Sequence, residues 1–131
     1  MPKEAISQGF TGTQKGISYV GNHAYANSGL IVVNQNLTTL MSFDTGPAYV
    51  TAKFQALTDG VTGDNFELKV NFNGETVLGT EYLSPYENNL TGQAPYELLI
   101  PPYTNVTLTL QNIEGTSALN WYANLWGRVY G

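Results

Sequence analysis

The chain has a single histidine, His23, in Gly21-Asn22-His23-Ala24-Tyr25, and no cysteine. A Ser-His-Asp relay would have to run through His23, and no G-x-S-x-G elbow supplies the serine. Metal chemistry is no better provided. His23 lacks HxxxH or HExxH spacing, thiolates are absent, and one chain cannot offer three histidines to one ion. Three copies meeting on an axis would bring three imidazoles together, but a strand-end or turn histidine with an ordinary hydrogen bond is the plainer reading. Glycosidases need two carboxyl groups roughly 5 to 10 Å apart. The pair closest to that pattern, Asp59 and Asp64, flanks Gly60-Val61-Thr62-Gly63 and lacks the alternating ligands and terminal Glu of an EF-hand, so a solvated Asp-Gly turn is favoured over a calcium site. No Walker sequence occurs and no GxGxxG follows a strand. The residues predict a protein that is not an enzyme, with no cofactor and no metal site.

Aromatic residues stand out instead. Nine Tyr and two Trp in 131 residues exceed what one small core needs. From Leu119 onward the odd positions Leu119, Trp121, Ala123, Leu125 and Val129 are apolar, while the even positions read Asn120, Tyr122, Asn124, Trp126, Arg128 and Tyr130. Both faces of this strand carry bulk. Tyr, Trp and Arg combine apolar area with a polar handle and are enriched at interface hot spots. The six even residues are therefore the expected interface, closed by another subunit or by the N-terminal arm. An alternative is a sugar platform, with rings stacking on pyranose faces, drawn from Trp126, Tyr122, Tyr86 and Asn88. A third is plain surface aromatics.

These residues need strands to hold them, and strands are what the patterning predicts. Phe66, Leu68, Val70 and Phe72 alternate with Glu67, Lys69 and Asn71, a period of two with one wet face. Asn73-Gly74 follows, the dipeptide of a type I′ turn, and predicts a hairpin into residues 75–83. Ala48, Val50, Ala52, Phe54 and Ala56 line one side of another strand, opposite Tyr49, Thr51, Lys53 and Gln55. Val106, Leu108 and Leu110 alternate with Thr107, Thr109 and Gln111. Leu37, Thr39, Met41 and Phe43 make a weaker strand, residues 30–33 an apolar run expected to be buried on both faces, and residues 96–100 a strand stopped by Pro101-Pro102. Counting from Leu37 gives about seven strands, with one or two before them and no helical stripe. That pattern predicts an all-β, antiparallel β-sandwich, the Pro- and Asn-rich stretch 84–95 crossing between sheets as a jelly-roll topology requires.

Length and charge narrow the class. One domain is expected from 131 residues, and such a core forms without staples. Residues 1–22 read as an extended N-terminal arm with a first strand, and residues 23–131 as the sandwich. Five Lys and Arg against ten Asp and Glu leave a net charge of -5, which disfavours nucleic acid. No apolar stretch approaches the roughly 20 residues that span a bilayer, and the N-terminus lacks a signal-peptide pattern, so no membrane partner is expected. The sequons at Asn36, Asn89 and Asn105 then read as products of an Asn- and Thr-rich composition.

Three segments together resemble a known class: residues 66–74 (FELKVNFNG), Leu99-Ile-Pro-Pro102 leading into residues 106–110 (VTLTL), and the closing residues 126–131 (WGRVYG). The pattern, over roughly residues 37–131, resembles the small jelly-roll virion proteins of tailed bacteriophages that decorate or cement the capsid. The resemblance implies a structural role on the virion, self-association as a homotrimer, the major capsid protein as partner and an arm reaching onto a neighbour. It brings no catalytic residue and no metal ligand.

Overall fold

Eleven strands and no helix are formed by the described residues of the computed structural model, 17–58, 64–83, 91–92 and 95–130. They are β1 (Ser18–Val20), β2 (His23–Asn27), β3 (Ile31–Val33), β4 (Thr38–Asp44), β5 (Tyr49–Thr58) and β6 (Asn65–Phe72) in the first half. The second half holds β7 (Glu75–Leu83), β8 (Thr91–Gly92), β9 (Tyr96–Ile100), β10 (Asn105–Asn112) and β11 (Leu119–Tyr130). The first sheet runs β1-β2-β11-β5-β8, with β3 also on β11 and β9 also on β5, and the second runs β4-β10-β6-β7. Every pairing is antiparallel.

Treating β2 with β3, and β8 with β9, as interrupted single strands and β1 as an edge extension leaves eight strands. Their order is first-eighth-third-sixth in one sheet and second-seventh-fourth-fifth in the other. This is one long antiparallel hairpin, first strand on eighth down to fourth on fifth, wrapped around a core, and it defines the jelly roll. The fourth and fifth strands meet at Asn73-Gly74, where φ is 52° and 87° and Phe72 pairs with Glu75, as a type I′ turn requires.

The two inner faces divide the core by size. The first sheet contributes many small residues, Ala24, Ala26, Ala52, Ala56 and Ala123, and the second mostly large ones, Phe43, Phe66, Leu68, Leu108 and Leu110, all buried. The first sheet adds larger side chains at Phe54, Ile100, Leu125 and Trp121, the Trp121 ring lying 5.1 Å from that of Phe66 and tilted by 53°.

Two expectations fail, each for a local reason. The alternation Leu37, Thr39, Met41, Phe43 does not hold along β4, because a bulge opposite Leu108 and Thr109 inserts one residue. Leu40 and Met41 both turn inward, whereas Leu37 stays exposed. The run 30–33 is not buried on both faces: Leu30 and Val32 are 55% and 60% exposed and only Val33 is sealed, since β3 is a short strand of the first sheet with its second face open.

Side chains complete the ladder where it is interrupted. Between β2 and β3 the buried Ser28 hydroxyl accepts the Ala123 N–H at 2.8 Å and donates to the Gly29 carbonyl, while Ser28 N–H donates to the Ala123 carbonyl. Buried Asn112 does the same for the turn into β11: its amide donates to Asp64 and the Ser117 carbonyl, and its oxygen accepts Glu114 and Gly115 N–H. At Gly127 the sheet leaves no room, since a Cβ there would lie 1.8 Å from the Thr51 carbonyl oxygen on β5. Gly127→Ala should therefore lower stability by about 1–3 kcal/mol or more through overpacking, and Ser28→Ala by about 1–3 kcal/mol through an orphaned Ala123 N–H. Urea denaturation midpoints at constant slope check both.

Candidate binding face on the first sheet

β11 lies in the middle of the first sheet, paired with β5 over Trp121 to Tyr130 and with β2 and β3 on its other side. Trp121, Ala123, Leu125 and Val129 are buried, so the strand's even residues point away from the core. The structure thus brings Asn120, Tyr122, Asn124, Trp126, Arg128 and Tyr130 into one outward row. Tyr122 and Tyr130 are 40% and 50% exposed, Arg128 and Asn120 are exposed, and Asn124 and Trp126 are partly covered. Tyr86 and Asn88 of the alternative set, Asp59, and residues 1–16 of the arm lie outside the described residues.

Register widens the row into a face. Asn124 sits between Asn27 of β2 and Gln55 of β5, and the Asn27 amide donates to the Asn124 side-chain oxygen. Trp126 sits between Tyr25 and Lys53, with Glu97 of β9 beyond Lys53. Arg128 sits between His23 and Thr51, and Tyr130 opposite Tyr49. At the other end Val32 lies opposite Asn120 and Leu57 opposite Tyr122. Sequence reasoning missed His23, Tyr25, Tyr49, Lys53 and Glu97 as members of this face. The alternation of β5 showed which side its residues take, but only register shows which strands flank β11.

Two hollows are sunk into this face, sharing Tyr25 and Trp126 as the ridge between them. One, of about 580 Å³, has Ser18, Asn27 and Asn124 in its wall, and the other, of about 290 Å³, has His23, Thr51, Lys53, Glu97 and Arg128. The Arg128 guanidinium lies 5.9 Å from the Tyr130 ring centroid, and the His23 and Tyr25 rings are 6.5 Å apart. Among the described residues no group of three His, Cys, Asp or Glu is placed to hold a metal, and no helix is long and apolar enough to cross a membrane. The arrangement offers rings, amides and cations for binding.

The fold is a jelly roll with one face of exposed rings and polar side chains, and solved structures of virus particles share the fold. No family model and no curated protein matches the chain. A chain from the infectious bursal disease virus Gx strain overlaps it at a TM-score of 0.58 and 10% identity, covering 87% of this chain and 34% of its own. The VP2 subviral particle of the same virus overlaps at 0.53 and 13% identity, again with 87% and 34% coverage. This chain thus spans about a third of those it matches. A family 35 carbohydrate binding module from Clostridium thermocellum overlaps at 0.42 and 16% identity, covering 88% of this chain and 80% of its own, which is too loose to argue from.

The edge of the face is pinned from beneath. Tyr19 of β1 packs against the core next to Ser18, and burial pushes its hydroxyl up to about 12, partly offset by a backbone hydrogen bond with Gly46. The folded state therefore holds this proton more tightly than the unfolded chain, whose tyrosines ionise near pH 10. Stability attributable to this group is intact below about pH 10 and is lost as pH rises toward about 12. Urea melts at pH 9 and pH 11 should show a loss for the native chain that is smaller in Tyr19→Phe.

Proposed function

We propose that this chain is a non-enzymatic structural component of a virus particle: a jelly-roll subunit that decorates the capsid of a tailed bacteriophage and cements it by bridging capsomers as a trimer. The observation that carries the reading is the outward row of β11, from Asn120 to Tyr130, on a strand whose other face is sealed in the core. An isolated sandwich has no need of bulky rings on the wet side of its central strand, whereas an interface does. The fold shared with virus-particle proteins supports the same role.

Within the row, the end around Tyr122 is the best candidate for contact with a second copy or with the major capsid protein. Val32 and Leu30 of the β3 side are exposed there, beside Asn120 and Tyr122, and Leu57 adds apolar surface from β5. Asn120 and Asn124 supply hydrogen bonds without the desolvation cost of buried ions. The segment assigned to reaching a neighbour is the arm, whose residues 1–16 lie outside the described residues.

Light scattering should give the mass of a trimer at micromolar concentration, and the protein should co-sediment with phage shells lacking it. Tyr122→Ser with Val32→Ser should weaken self-association or shell binding at least tenfold while leaving the melting temperature nearly unchanged. A stable monomer that ignores shells overturns the proposal.

A further inference from the structure

The opposite end of the row has another chemistry. Among the described residues the Lys and Arg side chains are Lys53, Lys69 and Arg128, and two of these three line the smaller hollow together with the sole histidine. Lys69, on the second sheet, is paired with Glu67 at 3.6 Å, and this is the one ion pair within 4 Å among the described residues. Lys53 and Arg128 make no ion pair within 4 Å among the described residues, and together with Glu97 they leave the smaller hollow one net positive charge in a chain of net charge -5. The Arg128 guanidinium lies over the Tyr130 ring at 5.9 Å from its centroid, and its N–H fork matches the geometry of a carboxylate.

The other walls say what must accompany that carboxylate. Glu97, opposite Lys53, would repel a polyanion but accepts hydrogen bonds from hydroxyl groups. The Thr51 hydroxyl lies beside it, and the Asn27 and Asn124 amides line the larger hollow. Tyr25 and Trp126 form the ridge between the hollows, an apolar platform for the C–H face of a sugar ring. Volumes of about 290 and 580 Å³ side by side suit successive rings of an oligosaccharide. A neutral sugar leaves the smaller hollow's net positive charge unmatched, an acidic peptide leaves the ridge and Glu97 unused, and nucleic acid meets the chain's net negative charge. We propose that this paired hollow binds an acidic saccharide, with Arg128 and Lys53 on a ring carboxylate, Glu97 and Thr51 on hydroxyls, and Trp126 and Tyr25 under the ring faces. The proposal goes beyond the structural role and stands whether or not the chain cements a shell.

The test is calorimetric titration of the intact protein with oligogalacturonate, oligomannuronate and oligosialate. Controls are the methyl-esterified galacturonate oligomer, a neutral galactose oligomer and oligoglutamate. At least one carboxylated sugar should bind, at least tenfold tighter than its uncharged counterpart, and more weakly as salt is raised. Arg128→Gln and Lys53→Gln should each reduce that binding about tenfold, and Lys69→Gln should not change it. Trp126→Ala should abolish it, and Tyr25→Ala serves the same purpose should the tryptophan variant fail to fold. The inference is overturned by silence from all three acidic sugars or by equal binding of the ester. It is equally overturned if oligoglutamate binds as tightly through the same residues, which would make the ligand an acidic protein segment.

Discussion

The structure depends on one strand having to serve two environments. β11 is bonded on both edges, to β5 on one side and to β2 and β3 on the other, so its backbone is fully committed to the sheet. Its odd side chains, Trp121 foremost, fill the core, and the pleat then sends every even side chain outward whatever its type. Outward chemistry on β11 is thereby held on the most rigid element of the fold. A one-residue slip would put Tyr122 and Asn124 in the core and Trp121 in water, so register and exposed chemistry are a single constraint.

How close the two sheets approach follows from the same strand. Ala123 and its partner Ala56, with Ala24 and Ala52 on either side of Gly127, present little bulk, which leaves space for Phe66, Leu68 and Leu108 of the second sheet. Trp121 lays a large ring from the first sheet against the Phe66 ring of the second. Gly127 is the reverse case, where even a methyl group would strike β5. In the outer row Trp126 precedes this glycine and Arg128 follows it, and both line the smaller hollow.

Much of this was legible in the sequence, because period two is a strong signal when one face is wet. The alternations of β5, β6, β10 and β11, the hairpin at Asn73-Gly74 and the stop at Pro101-Pro102 all read directly from residue types. Two things did not. The bulge in β4 arises from pairing with β10, and nothing local marks Leu40 as the extra residue. The second half of the face, His23 and Tyr25 of β2 with Lys53 of β5 and Glu97 of β9, exists only through register between strands far apart in the chain. The even residues of β11 marked one outward surface. Its charge and its hollows are properties of the neighbours.

The partnership of β2 with β11 also sets the order in which the molecule can be completed. Asn27 and Asn124 are joined across 97 positions, and Ser28 and Ala123 across 95. During translation β5 and β2 emerge long before the strand that belongs between them, and their edges stay unpaired until it arrives. Such distant pairings raise contact order and slow folding. Until the central strand closes the sheet, those unpaired edges invite pairing between nascent chains.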